Sequence, residues 1–429
     1  VREIGIGILG CGVVGTGTVE LLVRNADDIA RRVGARLVVR RIAVRDIAKQ
    51  RPGLIDRSLL TDSSDAVLND PSIDIVAELV GGVEPARAWI GQALRSGKSI
   101  VTANKELMAK DGRSLIELAA ACGRDFFLEG SVAGGIPILS AMQESLAANR
   151  VDEVLGIVNG TTNYILTRMT EEGADFAEVL ADAQRLGYAE ADPSSDVDGD
   201  DARYKIAILA SIAFNTHVGA DDVHGQGIRH ICARDIAVAK DLGYRIKLLA
   251  VAQQGRDGQG MQVRVHPALL PLAHPLASVN DVFNAVLVRG DGVGDVMFFG
   301  RGAGSLPTGS AVVGDLISCA RNILSGSVGR IRPVPPVPLK MQPLEMAHGK
   351  YYVRLHATDK PKVLASIASV FGDFDVSIES VVQRAIAGGE AEIVWITHRC
   401  REESLKGALE VIGPLESVRA IHNWIRVEE

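Results

Sequence analysis

Within its first twenty-four residues the chain carries a pattern that few folds can accommodate. Glu3 to Leu9 is a short β-rich run, Gly10-Cys11-Gly12-Val13-Val14-Gly15 follows at once, and Thr16 to Arg24 continues with helical spacing. A strand, a GxGxxG turn and a helix in this order predict the opening of a parallel α/β sheet that binds a dinucleotide. Gly10 permits the tight turn, Gly12 lets the backbone approach a pyrophosphate, and Gly15 lets helix and strand pack closely. The helix N-terminus then offers its free N–H groups to the phosphates.

The later segments extend this Rossmann-type reading. A second strand, Leu37 to Val44, ends in Arg45-Asp46, with Lys49 and Arg51 close by. An acidic residue at this point would grip ribose hydroxyls; a guanidinium suits a 2′-phosphate better. NADP(H) is therefore the expected cofactor and NAD(H) the alternative, with a solvated surface arginine as the plain reading of Arg45. Strands are predicted at Ile73 to Val80 and Ser99 to Val101, the latter ending in Thr102-Ala103-Asn104-Lys105. Ligands bind beyond the carboxyl ends of such strands, which directs Lys105 into the crevice. Glu129 to Pro137 is a glycine-rich turn that leaves carbonyls without ladder partners, suiting a cation, a ligand or plain flexibility.

At 429 residues, two or three domains are expected. Hydrophobic content of 47% with only 4% aromatics fits an aliphatic α/β enzyme, and a net charge of −7 argues against nucleic acid as a partner. The five cysteines are scattered and lack CxxC spacing, so they read as reduced thiols in a cytoplasmic protein without a zinc site. No apolar run is long enough to span a membrane, and no signal peptide is recognisable.

The second half changes character. A strand from Val151 to Val158 leads into Asn159-Gly160-Thr161-Thr162-Asn163, able to cap a helix or to present hydroxyls and amides to a small polar ligand. Gly187 to Lys205 follows, with Glu190, Asp192, Asp196, Asp198, Asp200 and Asp201 ahead of Lys205. A calcium loop fails here, since position one would be Ser194 and position twelve Lys205. What remains is a set of carboxylates for an organic cation, or a solvated acidic loop. Asp200 or Asp201 is expected to cap the next helix, on which Asp201 and Lys205 share a face. The glycine-rich Gly300–Gly309 precedes a helix from Ala311 to Leu324, which is expected to return to the nucleotide domain. Pro333, Pro335, Pro336 and Pro338 form a stiff linker, and residues 350–429 read βαββαβ, a ferredoxin-like module.

The motifs GCGVVG (Gly10–Gly15), TANK (Thr102–Lys105), NGTTN (Asn159–Asn163), GYAEADPSSDVDGDDARYK (Gly187–Lys205) and GRGAGSLPT (Gly300–Thr308) span nearly the whole chain. Together they resemble the long bacterial type of homoserine dehydrogenase, with a C-terminal ACT domain. The resemblance implies reversible reduction of aspartate 4-semialdehyde to homoserine, Lys205 acting as proton donor and acceptor and Lys105 as a second active-site lysine. It implies a substrate site drawn from Glu190, Asp196, Asp201, Gly160, Thr161 and Lys105, with Asp201 also ordering the catalytic centre. Gly10, Gly12, Val13, Val14, Gly15, Arg45, Lys105 and Gly302 then face the cofactor. Backbone carbonyls among Glu129, Val132, Gly134 and Ile136 match a sodium site.

The implied domains are 1–135 with about 303–330 for NADP binding, 136–302 for substrate and dimerisation, 331–349 as linker and 350–429 as regulatory module. A homodimer or homotetramer is expected, with an amino-acid effector at the ACT domain. The module's first turn departs from the usual Asp-x-Pro-Gly: it reads Asp359-Lys360-Pro361-Lys362, a lysine that crowds or occupies the effector pocket. A contrasting reading is an amino-acid sensor that kept the dehydrogenase fold without turnover.

Overall fold

The computed structural model describes residues 2–255, 260–330 and 337–429. It divides into two compact units, one formed by residues 1–154, 204–223 and 284–338, the other by residues 155–203, 224–283 and 339–429.

The first unit is organised by the strand Glu3–Leu9, whose Ile4, Ile6 and Ile8 are fully buried. It lies at the centre of a six-stranded sheet, flanked on one side by Arg36–Ala43 and then Leu60–Thr61, and on the other by Ile75–Glu78, Ser99–Thr102 and Phe126–Phe127. Every pairing is parallel. The order reverses between the first and fourth strands, which makes the crevice beside the first strand's carboxyl end the ligand position. The helix Ser305–Ser325 packs Val312, Leu316, Cys319 and Ala320 into the same core as Ile4, Ile6, Ile8 and Val19. Late in the sequence the chain thus returns to the core of the first unit. That helix begins six residues earlier than expected, already at Ser305, because Pro307 lies in the first turn, where its missing N–H costs nothing.

In the second unit, the strands Tyr244–Gln254 and Gly260–Pro271 pair antiparallel. The terminal module is βαββαβ, with its strands in the order Val418–Val427, His348–Thr358, Glu390–Thr397, Ile378–Ile386. Its helices Val363–Asp373 and Glu402–Ile412 close over a core holding Trp395, Phe371 and Tyr351. The last strand also pairs in parallel with Gly260–Pro271, matching Ala268 to Arg426. Beside that seam Arg354 Nε donates to Asp235 Oδ1 at 2.8 Å, Asn423 Nδ2 donates to Asp235 Oδ2 at 3.0 Å, and Arg234 pairs with Glu392. Asp235 is completely buried; burial alone would raise its pKa, but Arg354 and Asn423 outweigh it and hold the carboxyl below its ordinary value.

Several local expectations are corrected. The glycine-rich turn runs on into a single helical turn at Ile138–Ser140, followed by a wider π-type turn at Ala141–Ser145. The acidic stretch contains a short helix, Ser194–Val197. Asp200 and Asp201 do not precede the next helix as caps but form its first turn, because Gly199, at φ 92°, makes the bend. Residues 331–336, with Pro333, Pro335 and Pro336, lie outside the described residues; within 337–349, Lys340–Met341 pairs with Gly260–Met261 and Leu344–Met346 forms a 3-10 turn.

Candidate active site

The first unit supplies a cradle made mostly of backbone. Gly10 turns at φ 95°, Gly12 sits at the N-terminus of the helix Val13–Arg24, and Val13 is 67% exposed at its mouth. A methyl group added at Gly12 would meet nothing within 4 Å, so open space faces the helix N-terminus. At Gly15 the same methyl would lie 2.4 Å from the Gly10 carbonyl, and at Gly17 it would lie 2.1 Å from the Ser305 carbonyl. Those glycines are therefore fixed by packing, and Gly12 by the space in front of it. Val14 tucks partly into the core.

Arg45 is exposed just past the second strand. Arg51 belongs to the same neighbourhood: burial raises the Cys11 thiol pKa, and Thr16 and the Arg51 guanidinium partly offset it. A guanidinium is thus present beside the glycine turn, in addition to Arg45.

A buried polar belt closes the carboxyl end of the sheet. Glu78, with no exposure, accepts from Val80 N at 2.8 Å and from Thr102 Oγ1 at 2.8 Å. Asn104 caps the helix Lys105–Ala121 by accepting from Leu107 N at 3.1 Å, and its amide donates to the Gly82 carbonyl at 2.6 Å. Lys105 is therefore held at the first position of that helix, half-buried, at the strand end where the sequence placed it.

The turn at 129–136 is also rigid. Glu129 accepts from Leu139 N at 2.8 Å and Ser140 N at 2.7 Å, so its carboxylate caps the following turn. Asp315, buried, accepts from Glu129 N at 2.9 Å. Burial, then the charge of Glu129, pushes the Asp315 carboxyl well above its ordinary value. Ala133 and Gly134 are both at φ 54°, and Gly135 N donates to the Arg301 carbonyl at 3.0 Å, bringing this turn against buried Gly302. The Ile136 carbonyl accepts from Ile138 N at 2.8 Å and the Glu129 carbonyl from Val132 N at 3.4 Å. Among the described residues no cluster of three or more His, Cys, Asp or Glu could hold a metal ion.

The second unit supplies a cradle made of side chains. Asn159 caps the helix Gly160–Glu172, accepting from Thr162 N at 2.8 Å. Its amide nitrogen donates to Asp196 Oδ1 at 2.7 Å and to Asp201 Oδ2 at 2.9 Å. Two carboxylates distant in sequence are thus gathered at a helix N-terminus, where negative charge is favoured. Thr161 Oγ1 donates to the Tyr188 carbonyl at 2.8 Å, tying the start of the acidic stretch to the same turn. Gly160 lies against the Val282 carbonyl, which a side chain there would approach to 2.9 Å. Glu190 is exposed, and its carbonyl accepts from Gln184 Nε2 at 3.0 Å.

The helix Asp200–Ala213 carries Asp201, 3% exposed, and Lys205, 8% exposed. The lysine that the sequence singled out is therefore a buried amine. Sequence reading missed Asn159 as the bridge between the two carboxylates, and it missed Lys247, a fully buried lysine that bonds to Asn163. The available signal was a lone cation in the apolar run Ile246-Lys247-Leu248-Leu249.

Three family models match this chain: the NAD-binding domain of homoserine dehydrogenase over residues 10–129, homoserine dehydrogenase over 137–317 and the ACT domain over 351–416. A homoserine dehydrogenase of Synechocystis is 47% identical, the match covering 98% of this chain and 99% of the relative. That of Bacillus subtilis is 42% identical over 100% and 99%. The crystal structure of a homoserine dehydrogenase from Thiobacillus denitrificans is similar at a TM-score of 0.94 and 42% identity, covering 100% of this chain and 99% of that one. A hyperthermophilic archaeal homoserine dehydrogenase in complex with NADPH is similar at a TM-score of 0.63 and 28% identity, over 74% and 98%.

Proposed function

Since the chain belongs to the homoserine dehydrogenase family, and so catalyses the nicotinamide-dependent interconversion of aspartate 4-semialdehyde and homoserine, we propose that Lys205 is its proton donor and acceptor. The observation that carries this reading is the burial of Lys205 one helical turn beyond Asp201, whose carboxylate is held by Asn159. An ammonium shielded from water both stabilises a developing alkoxide and can donate to it. When bound, the nicotinamide supplies or accepts the hydride. In the oxidative direction Lys205 takes the hydroxyl proton. Taking that proton requires the neutral amine, so homoserine oxidation improves at alkaline pH.

The substrate's α-ammonium fits the Asp196–Asn159–Asp201 cluster, with Glu190, Gly160 and Thr161 completing the site. Lys105 serves the substrate and the nicotinamide end of the cofactor. Gly10, Gly12, Val13, Val14, Gly15 and Gly302 receive the dinucleotide. The open space at Gly12 supports this, and the guanidinium groups of Arg45 and Arg51 favour NADP(H) over NAD(H) through the 2′-phosphate. The carbonyls of Glu129, Val132, Gly134 and Ile136 are a neutral oxygen set suited to sodium.

The working division of the chain is 1–135 with 303–330 for cofactor, 136–302 for substrate and subunit contact, and 350–429 for an amino-acid effector. A homo-oligomer is supported by Gly294–Arg301, which ends its sheet with Met297 and Phe299 exposed. In the effector module Lys362 is exposed and lies at φ 77°, a backbone shape for which glycine is the ordinary choice. The loss of that glycine argues for weak effector binding.

The decisive measurement is kcat of Lys205→Ala for NADPH oxidation with aspartate semialdehyde. A fall of about 10²–10⁴-fold is expected for loss of a general acid, and an unchanged kcat removes the assignment.

A further inference from the structure

Lys247 lies in the strand Tyr244–Gln254 with no exposure, yet its ammonium is fully engaged. Nζ donates to Asn163 Oδ1 at 2.9 Å, to the Val279 carbonyl at 2.5 Å and to Asn280 Oδ1 at 3.4 Å. The other side of the Asn163 amide is equally occupied: Nδ2 lies 3.1 Å from the Val279 carbonyl, 3.0 Å from that of Asp281 and 3.1 Å from that of Phe283. One lysine and one asparagine therefore gather the acceptors of a single loop, residues 279–283. The loop needs holding. Asp281 sits at φ 54°, a conformation disfavoured for a residue with a side chain, and its N–H is taken by Thr167 Oγ1 at 3.1 Å.

Asn163 belongs to the first turns of the helix Gly160–Glu172, and Gly160 rests on the Val282 carbonyl of the same loop. The helix N-cap is Asn159, which reaches Asp196 and Asp201. A continuous path of bonds and contacts thus runs from Lys247 through Asn163 and the loop to the side-chain cradle. A buried ammonium is expensive to desolvate. Holding the strand alone does not call for one, since an aliphatic residue would pack there at lower cost. The donors themselves are what the position uses.

We propose that Lys247 is a positioning residue for the amino-acid substrate: by clamping Asn163 and the 279–283 loop, it fixes the helix turn from which Asn159 holds Asp196 and Asp201. The inference rests on the reading of that cluster as the ammonium cradle. Lys247 touches neither substrate nor cofactor in this account. Its removal weakens binding of the amino acid most, slows the chemical step less, through Asp201, and leaves the dinucleotide alone.

The test is steady-state kinetics of the full-length enzyme for Lys247→Met, Asn163→Ala and the double variant. Each single variant should raise KM for homoserine at least tenfold, with a smaller fall in kcat and KM for NADP unchanged. The double variant should be no worse than the weaker single variant, because both act through one clamp. Unchanged KM for homoserine, an equal loss in all parameters, or multiplicative effects would each overturn the proposal. Should Lys247→Met fail to fold, the same KM-against-kcat split in Asn163→Ala decides. Asn159→Ala separates the two levels: if it raises KM for homoserine while the clamp variants do not, only the clamp is wrong. If it has no effect either, the cradle reading falls with it.

Discussion

The two cradles are built from different materials. The nucleotide cradle of the first unit is backbone: a turn at Gly10, open space at Gly12, and close approaches at Gly15 and Gly17. The cradle of the second unit is side chain: one asparagine amide spans two aspartates, braced by a lysine and a second asparagine. A phosphate chain can be met by N–H groups that every residue owns, so shape is what matters. An α-ammonium needs acceptors with charge, and charge must be carried and oriented by side chains. Recognition by backbone tolerates little change at a few glycines; recognition by side chains depends on a wider set of supporting bonds.

The contrast can be broken most forcefully at the glycines. Gly17→Val would drive a side chain into the Ser305 carbonyl, already 2.1 Å from a single added methyl. Loss of folded protein is expected, since overpacking a tight contact costs about 1–3 kcal/mol or more; normal thermal stability would show the helices can part freely. Next in size is Gly15→Ala, which should raise KM for NADPH by at least about tenfold while KM for aspartate semialdehyde moves little, because about 1.4 kcal/mol of misplacement suffices for a factor of ten. Equal effects on both substrates would merge the two cradles into one.

Arg45→Asp should weaken NADPH far more than NADH, and a matched response would show that no 2′-phosphate is read at that position. Lys247 adds a pH test. Burial, with Arg245 acting in the same direction and against Asp281 and Glu171, pulls its pKa down to about 7. The unfolded chain, with an ordinary lysine near pKa ~10.4, holds that proton more tightly. Stability should therefore rise from about pH 7 to pH ~10.4 and, as pH falls, be lost across that window and level off below 7. Urea midpoints at several pH values should show this slope in the wild type and a weaker one in Lys247→Met. Smallest is Lys362→Gly, expected to add about 1 kcal/mol by relieving a left-handed residue at φ 77°; a lower melting temperature would mean the lysine side chain makes up for its backbone.

The same contrast explains what could be read without coordinates. Glu3 to Leu9, the glycine turn and the βαββαβ ending are local patterns, and the structure has the strand Glu3–Leu9, the turn and the βαββαβ order as expected. The position of Lys105 just past the strand Ser99–Thr102 was equally local. Asn159 as a bridge was not, since Asp196 and Asp201 come to it from residues 37 and 42 positions away. Lys247 is harder still: its partners are Asn163 and the loop 279–283, and nothing in the strand around it names them. The helix Asp200–Ala213 was misplaced by one position because Gly199, rather than an aspartate, makes the bend.

The seam around Asp235 has an implication for how this polypeptide could be shortened. A version ending near residue 347 would lose Arg354 and Asn423, leaving an acid in a pocket with no counter-charge. It would also bare the margin of Gly260–Pro271 that Val418–Val427 now covers. Such a fragment would be prone to self-association through that naked margin, so the sensor-like ending is a structural keel as well as an appendage.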